Sequence, residues 1–569
     1  MKLNLHSLVA AGVGLVLTTT SAQSQTASTI PHLEKQGTAT QLVVDGKPFL
    51  ALAAELHNSS ASSLEYMKPL WPKLVAAHLN TVLATVSWEL IEPQEGKFDF
   101  SLVDGLLQEA RTNDLHLVLL WFASWKNGKS SYQPLWVKTH QDRFPLACSS
   151  DGKSMPIMTT FSDANRDADA HAFAALMRHL REVDGEKHTV LMIQVENEVG
   201  TLGDSRDRSP AANEAFTGPV PKDLMDYLVQ HKNTLAPELL KGWAAHGSKT
   251  SGTWEEVFGP GKPASVQLYG PDLTDKKKDV YWRQLNWASD EFFMAWRYSM
   301  YVNQVAAAGK AEYDIPMYVN SWLQQQGCPR PGEYPSGGPV PQVHDIWRFG
   351  APAIDILSPD LYIEQFAETC ARYTRNGNPL FIPESQAGVR GAANAIYAFG
   401  ACNAIGYSPF GADRFAGSDQ ELARAYDLLS SVSPLILANQ GKGTMTAVLL
   451  DATNTTQTFR LGNYKIEAKF WLPPAWMHAT NTVPGSIAGI FISTGPDDYI
   501  IMGRNLAVNF YSTNESESVG IGTDDEGVYE KGRWVPGRRL NGDEVYEWRT
   551  LHFRDDKYSI QHVKVYRYR

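Results

Sequence analysis

Residues 191–200 read LMIQVENEVG, an apolar run that meets Glu196, Asn197 and Glu198 and stops at Gly200. A short continuous apolar segment of this kind reads as a strand buried on both faces, the kind found in parallel sheets covered by helices. Its polar end poses a question, because burying a charge is costly unless something pairs with it or uses it. One answer is an ordinary strand end where polar residues meet water. The other is chemistry.

Seven further runs share the pattern: FLALAAE (49–55), NTVLATVSW (80–88), LHLVLLWF (115–122), IPMYVNS (315–321), IDILSPD (354–360), PLFIPES (379–385) and AIGYSPF (404–410). Between them lie segments with apolar residues at three- and four-residue intervals, such as 102–112, 170–183, 290–309 and 420–432, which predict helices. Eight buried strands alternating with helices predict an α/β fold, a closed (β/α)8 TIM barrel. The rival, a doubly wound open sheet, announces itself with a glycine-rich loop after its first strand. Here that position reads AAELHNSS (53–60).

Flanking segments read differently. Lys2, the apolar LVAAGVGLVL and the small residues TTTSAQSQ predict a signal peptide over 1–22, cleaved after Ala22. The mature protein is therefore expected to be exported, periplasmic or secreted. An irregular segment is expected over 23–40 and the barrel over 41–435. A Gly-, Pro- and charge-rich insertion spans 200–280 and carries Trp243, Trp254 and Tyr269; it is expected to overhang the mouth of the barrel. From 436 to 569 apolar and polar residues alternate between turn signals, which predicts an antiparallel β-sandwich domain. Such a domain either binds sugar or braces the barrel.

Composition narrows the function. A net charge of -11 without a basic run argues against nucleic acid or an anionic membrane as partner. The four cysteines, Cys148, Cys328, Cys370 and Cys402, are far apart and lack metal-ligand spacing. Neither a metal-binding His motif nor a nucleophile elbow nor a phosphate loop is present, so neither metal nor cofactor is expected. Sixteen Trp and 23 Tyr supply flat faces that suit sugar C–H groups, although they also build cores. Oligomeric state is not legible.

What the barrel does collect is carboxylates, at the strand ends where barrel enzymes keep their catalytic groups: Glu55, Glu89, Glu92, Glu196, Glu198, Asp360 and Glu384. Two facing carboxylates, one protonated and one ionised, are the requirement for glycoside hydrolysis. Glu198 and Glu384 suit it, each closing an apolar strand, with Asn197 able to bond a sugar hydroxyl. A carbohydrate is thus the expected partner. Glu196 shares the strand parity of Glu198 and either competes as the acid or pairs with a cation. Glu92 either binds sugar or braces its loop. Trp88, Trp121, Trp125 and Trp322 either stack on sugar or pack in the core. His57 reads as a hydrogen-bonding wall residue, and Tyr362 as a donor to Glu384.

Taken together, IQVENEVG (193–200), AAELHNSS, TVSWELIEPQEGKFDFSLVDGLLQEA (85–110) and PLFIPESQAG (379–388) resemble the motifs of glycoside hydrolase family 35, the β-galactosidases, over roughly residues 40–430. The trailing β-domain is similar to that of one bacterial branch. The resemblance implies a retaining, exo-acting β-galactosidase with Glu198 as acid/base and Glu384 as nucleophile. It also implies sugar contacts from Asn197, Glu55, Trp125, Tyr362, Trp88 and Trp322, and a plant-type substrate such as xyloglucan. Three departures touch the terminal-sugar pocket. Ala123-Ser124-Trp125 stands for an Ala-Glu-Trp, Thr85 for a Tyr, and Ser385-Gln386 for an aromatic. Another β-linked sugar (an arabinoside, xyloside or fucoside) and a non-catalytic sugar-binding barrel are the alternatives.

Overall fold

The computed structural model describes residues 30–263, 265, 266, 268, 285–325, 327–471, 485–514, 516–546, 549–553 and 557–569. The expected signal peptide and Tyr269 lie outside the described residues. Eight parallel strands form the barrel: Ala51–Glu55, Thr81–Ser87, His116–Lys126, Val190–Asn197, Met317–Trp322, Ile356–Leu361, a seventh in two pieces (Phe381–Ile382 and Glu384–Ser385), and Gly406–Tyr407. The two pieces of the seventh strand close the ring. Phe381–Ile382 pairs with Gly406–Tyr407, whereas Glu384–Ser385 pairs with Asp360 and Leu361. The break falls at Pro383, which has no amide hydrogen to give the ladder.

Inside the barrel, Ala51, Leu83, Val118, Phe122, Tyr318 and Phe381 belong to one buried cluster. Leu42 and Val44 join it from the strand Ala39–Val44, which pairs antiparallel with His32–Gln36 and seals the N-terminal end. This corrects the irregular segment expected up to residue 40. A strand begins at His32, and burial of its partner Ala39–Val44 outweighs the polar character of HLEKQ.

Helices cover the outside, including Ser101–Thr112, Asp163–Asp184, Ala288–Glu312, Gly388–Ala401 and Gln420–Asn439. The last runs beyond 435 with Pro434 in its interior, because Leu429, Val432 and Ile436 keep one face buried across it. The insertion folds into four short helices from Pro210 to Phe258, with Trp243 and Trp254 buried.

Among the described residues the C-terminal domain is a sandwich of a six-stranded and a five-stranded antiparallel sheet. Ala447, Ile490 and Met502 extend the barrel's own core into it. Helix Gly388–Ala401 approaches so closely that a Cβ on Gly400 would lie 2.7 Å from the Ile490 side chain. All four cysteines are free thiols, and burial, then the neighbouring Cys402, raises the Cys370 thiol well above its ordinary value.

Candidate active site

At the C-terminal mouth of the barrel three buried acids meet. One carboxylate oxygen each from Glu198, Asp360 and Glu384 lies within 4.8 Å of the others. Strands four, six and seven deliver them, and Asp360 and Glu384 are direct neighbours across the ladder. Glu198 comes from just beyond Asn197, where the backbone departs from regular strand geometry. Glu196 and Glu198 both have positive φ, 63° and 44°. For a residue with a Cβ this conformation is strained, and such strain gathers at functional sites.

The twist changes which side chains reach the mouth. Asn197 and Glu198 both do. Asn197 Nδ2 donates to Glu384 Oε1 at 3.4 Å, while its own oxygen is buried without a partner among the described residues. Glu196, expected on the same side as Glu198, instead turns behind the strand. It accepts the Trp125 amide at 2.8 Å and faces Asp169 on helix Asp163–Asp184. Burial, then Asp169, raises the Glu196 pKa well above the carboxylate range, so this pair retains a proton between its members. No cation pairs with Glu196 among the contacts of the described residues, contrary to the parity argument.

Glu384 holds a second donor, the Tyr362 hydroxyl, at 3.0 Å from Oε2. Asn320 fixes the other two acids: its oxygen accepts the Glu198 amide at 2.9 Å and its Nδ2 donates to Asp360 at 2.8 Å. Burial and then the charge of Glu384 push Glu198 up to about 7, although Lys126 and a hydrogen bond with Asp360 pull it down. Asp360 is raised well above its ordinary value by burial, then by Glu384, Glu198 and Glu55. Glu55 sits fully buried at the end of the first strand, neither oxygen hydrogen-bonded among the described residues, and is raised by burial and then Glu384.

Among the described residues Lys126 balances this group. Lys126 ends the third strand, buried, with its ammonium 4.9 Å from the centre of the Phe122 ring that tops the barrel interior. Burial acts to lower its pKa, but Glu384, Glu198, Glu55 and Asp360 together outweigh it and hold it raised. Among the described residues the acid trio is the grouping spaced to hold a metal ion; the Lys126 charge in the same pocket opposes a divalent cation there.

The tryptophans divide. Trp125 is fully buried behind the third strand, packed edge-on to Tyr298 and Tyr301, and Trp88 is buried with its indole on Glu92 at 2.8 Å. Trp121 likewise donates outward, to Asp169. The expected sugar contacts of Trp125 and Trp88 are therefore corrected to core packing. Trp322 remains half-buried at its strand end, two and four residues from the inward-facing Asn320 and Tyr318. Glu92 also accepts the Gly96 amide at 2.7 Å and so braces its loop. Glu89 pairs with Lys138, and His57 with Asp413 at 2.6 Å. Of the expected contacts, the structure assembles Asn197, Glu55 and Tyr362 with Glu198 and Glu384.

Lys126 and Asn320 were missed by sequence reasoning, and Asp360 was seen only as a strand-end acid. A lysine closing the apolar run of strand three was the available signal.

Two of these contacts have measurable consequences. Tyr362→Phe is expected to lower kcat about 10- to 100-fold with little change in stability, since it removes a hydrogen bond to a carboxylate from a side chain that is 40% exposed. Unchanged kcat would show that the hydroxyl is idle. Lys126→Met is expected to move the alkaline limb of the pH–rate profile upward by roughly one unit, because Lys126 is the charge that lowers Glu198. A limb that stays put would remove Lys126 from the electrostatics of the acid.

The family model described as β-galactosidase, glycoside hydrolase family 42, matches residues 66–394. A domain of unknown function, DUF5597, matches 422–551. A β-galactosidase of Xanthomonas manihotis is 31% identical over 198 residues, 32% of this chain and 29% of that one. Solved β-galactosidases from Rahnella sp. R3 and Bacillus circulans sp. alkalophilus are each 15% identical, at TM-scores of 0.42 and 0.43. Each match covers 68% of this chain and 57% of the other. The chain thus spans less than a third of the curated relative and little more than half of those structures. The matching model is that of family 42 and not of family 35, whose motifs the sequence resembles. With more than half of its length matched, the chain belongs to the β-galactosidase family of glycoside hydrolases, family 42.

Proposed function

We propose that the protein is a retaining, exo-acting β-galactosidase in which Glu198 is the acid/base and Glu384 the nucleophile. The observation that carries this reading is the approach of their carboxylate oxygens to within 4.8 Å. Retaining enzymes hold the pair about 5–5.5 Å apart for direct attack, whereas inverting enzymes leave roughly 6.5–9.5 Å for a water. Glu198, held protonated towards neutrality, gives its proton to the leaving oxygen while Glu384 attacks the anomeric carbon. The glycosyl-enzyme is then hydrolysed by a water that Glu198 deprotonates. Asn197 and Glu55 line the pocket for the terminal sugar.

Galactose is supported by the family and by the β-galactosidases that match the chain. The likeness of the four motifs to family 35 enters as a proposal about the site. A galactose-decorated plant glycan such as xyloglucan is the proposed substrate, met outside the cytoplasm by an exported enzyme whose signal is residues 1–22. Hydrolysis of a panel of aryl β-glycosides, with the first-formed anomer followed by NMR, tests the sugar and the retaining course. Release of β-galactose is expected. First-formed α-galactose would exclude retention, and turnover of another glycoside alone would reassign the sugar.

A further inference from the structure

The outer face of the five-stranded sheet in the C-terminal domain carries side chains that the barrel chemistry does not use. Strand register sets Arg460 opposite Lys465 and Lys465 opposite Tyr511; the next row on that face is Glu467, Asn509 and Thr550. The alternate residues, Ile466, Phe510 and Leu551 among them, fill the sandwich core, so the polar rows face outward. Over them lies a cleft of about 650 Å3 lined by Arg460, Lys465, Asn509, Tyr511, Arg549 and Thr550. That volume is within the range of ligand sites.

The charge of the cleft is opposite to that of the protein. Among the described residues, Arg460 and Lys465 have no carboxylate within 4.0 Å. The lining carboxylate, Glu517, is already engaged by Arg567 at 3.8 Å and by the Ser512 hydroxyl at 3.2 Å. Glu467 in the next row is held by Lys469 at 4.0 Å and by Asn509 at 3.4 Å. A local excess of cations thus stands on a chain of net charge -11. Beside Lys465, Tyr511 is 43% exposed, with the Lys465 ammonium 5.9 Å from its ring centre. Asn509 and Thr550 add amide and hydroxyl groups beside it.

We propose that this cleft is a second carbohydrate site, remote from the barrel mouth, for a glycan that bears carboxylates. Guanidinium and ammonium groups answer the carboxylates, the tyrosine ring the C–H face of a sugar, and the amide and hydroxyl its hydroxyl groups. A nucleic acid is disfavoured, since its closely spaced phosphates need several neutralising contacts and the chain as a whole repels them.

Affinity electrophoresis of the full chain through gels containing polygalacturonate, neutral galactan or polyphosphate tests the site without requiring turnover. Polygalacturonate is expected to retard the wild type more strongly than the other two. Tyr511→Ala should weaken retardation roughly 3- to 10-fold, and the Arg460→Glu, Lys465→Glu double variant should abolish it. Both variants change exposed side chains and are expected to hydrolyse aryl glycosides at the wild-type rate. The proposal is overturned by no retardation or by equal retardation in neutral galactan. It is also overturned by equal retardation in polyphosphate that is indifferent to Tyr511→Ala, or by variants retarded as strongly as the wild type. Failure of the barrel to turn over any glycoside would leave these mobilities unchanged, so the two readings fail separately.

Discussion

Glu384→Gln is expected to lower kcat by on the order of 10^4-fold or more, with the fold intact. The amide keeps the volume; its oxygen can accept from Asn197 and its NH2 can donate to the Tyr362 hydroxyl oxygen, where the carboxylate now accepts from both. It cannot form the glycosyl ester, and loss of a nucleophile is among the largest single-residue effects in enzymes. Truncation to Glu384→Ala opens space for a small external nucleophile. Azide should then restore turnover of an activated aryl β-galactoside and yield the α-glycosyl azide, since a single displacement inverts the centre. Near-normal hydrolysis by Glu384→Gln would end the assignment.

Glu198→Gln comes second, with an expected loss of about 10^2- to 10^4-fold that depends on the leaving group. The proposed reaction needs Glu198 protonated for its first step. Burial and Glu384 push this carboxyl up to about 7, so it keeps its proton below that pH and loses it above. Activity should therefore fall as pH rises through about 7, and the glutamine variant should lack this limb. A dinitrophenyl glycoside, which departs without a proton, should suffer far less in the first step than a phenyl glycoside. An alkaline limb that survives the substitution would mean that another group is the acid. Asp360, hydrogen-bonded to Glu198, would then be the one to replace.

Much of the barrel was legible because a doubly buried strand must be apolar throughout. All eight expected runs overlap the observed barrel strands; the third, fifth and sixth strands run on to Lys126, Trp322 and Leu361, and the fourth begins at Val190. The failures have local causes. Alternation gives the direction of a side chain only while the backbone stays regular, and the left-handed turn at Glu196 ends that regularity. Glu196 consequently moves behind the sheet, while Asn197 and Glu198 both enter the mouth. Trp125 and Trp88 misled because an indole at a strand end looks the same in sequence whether it stacks on sugar or packs on a helix. Lys126 was overlooked because an isolated lysine ordinarily marks a solvated surface. In the C-terminal domain the long strand Ser518–Glu530, its partner Arg533–Arg539 and the last strand Ser559–Tyr568 were missed. SVGIGTDDEGVYE is too rich in Gly and acid to show alternation, and register with Ser559–Tyr568 forms the strand.

The divided seventh strand means that the cylinder is fastened at the residue that would do the chemistry. Two ladder pairs on each side of Pro383, Phe381–Gly406 and Ile382–Tyr407 on one flank and Asp360–Glu384 and Leu361–Ser385 on the other, complete the circuit, with the Phe410 amide donating to the Ser385 carbonyl at 2.9 Å. A seam held by so few pairs is a natural place for sub-global opening, at a free-energy cost below that of complete unfolding. In a urea titration, catalytic competence should disappear at a lower denaturant concentration than the far-ultraviolet helical signal. Amide protons of Phe381, Ile382, Glu384 and Ser385 should exchange ahead of those in the second and third strands.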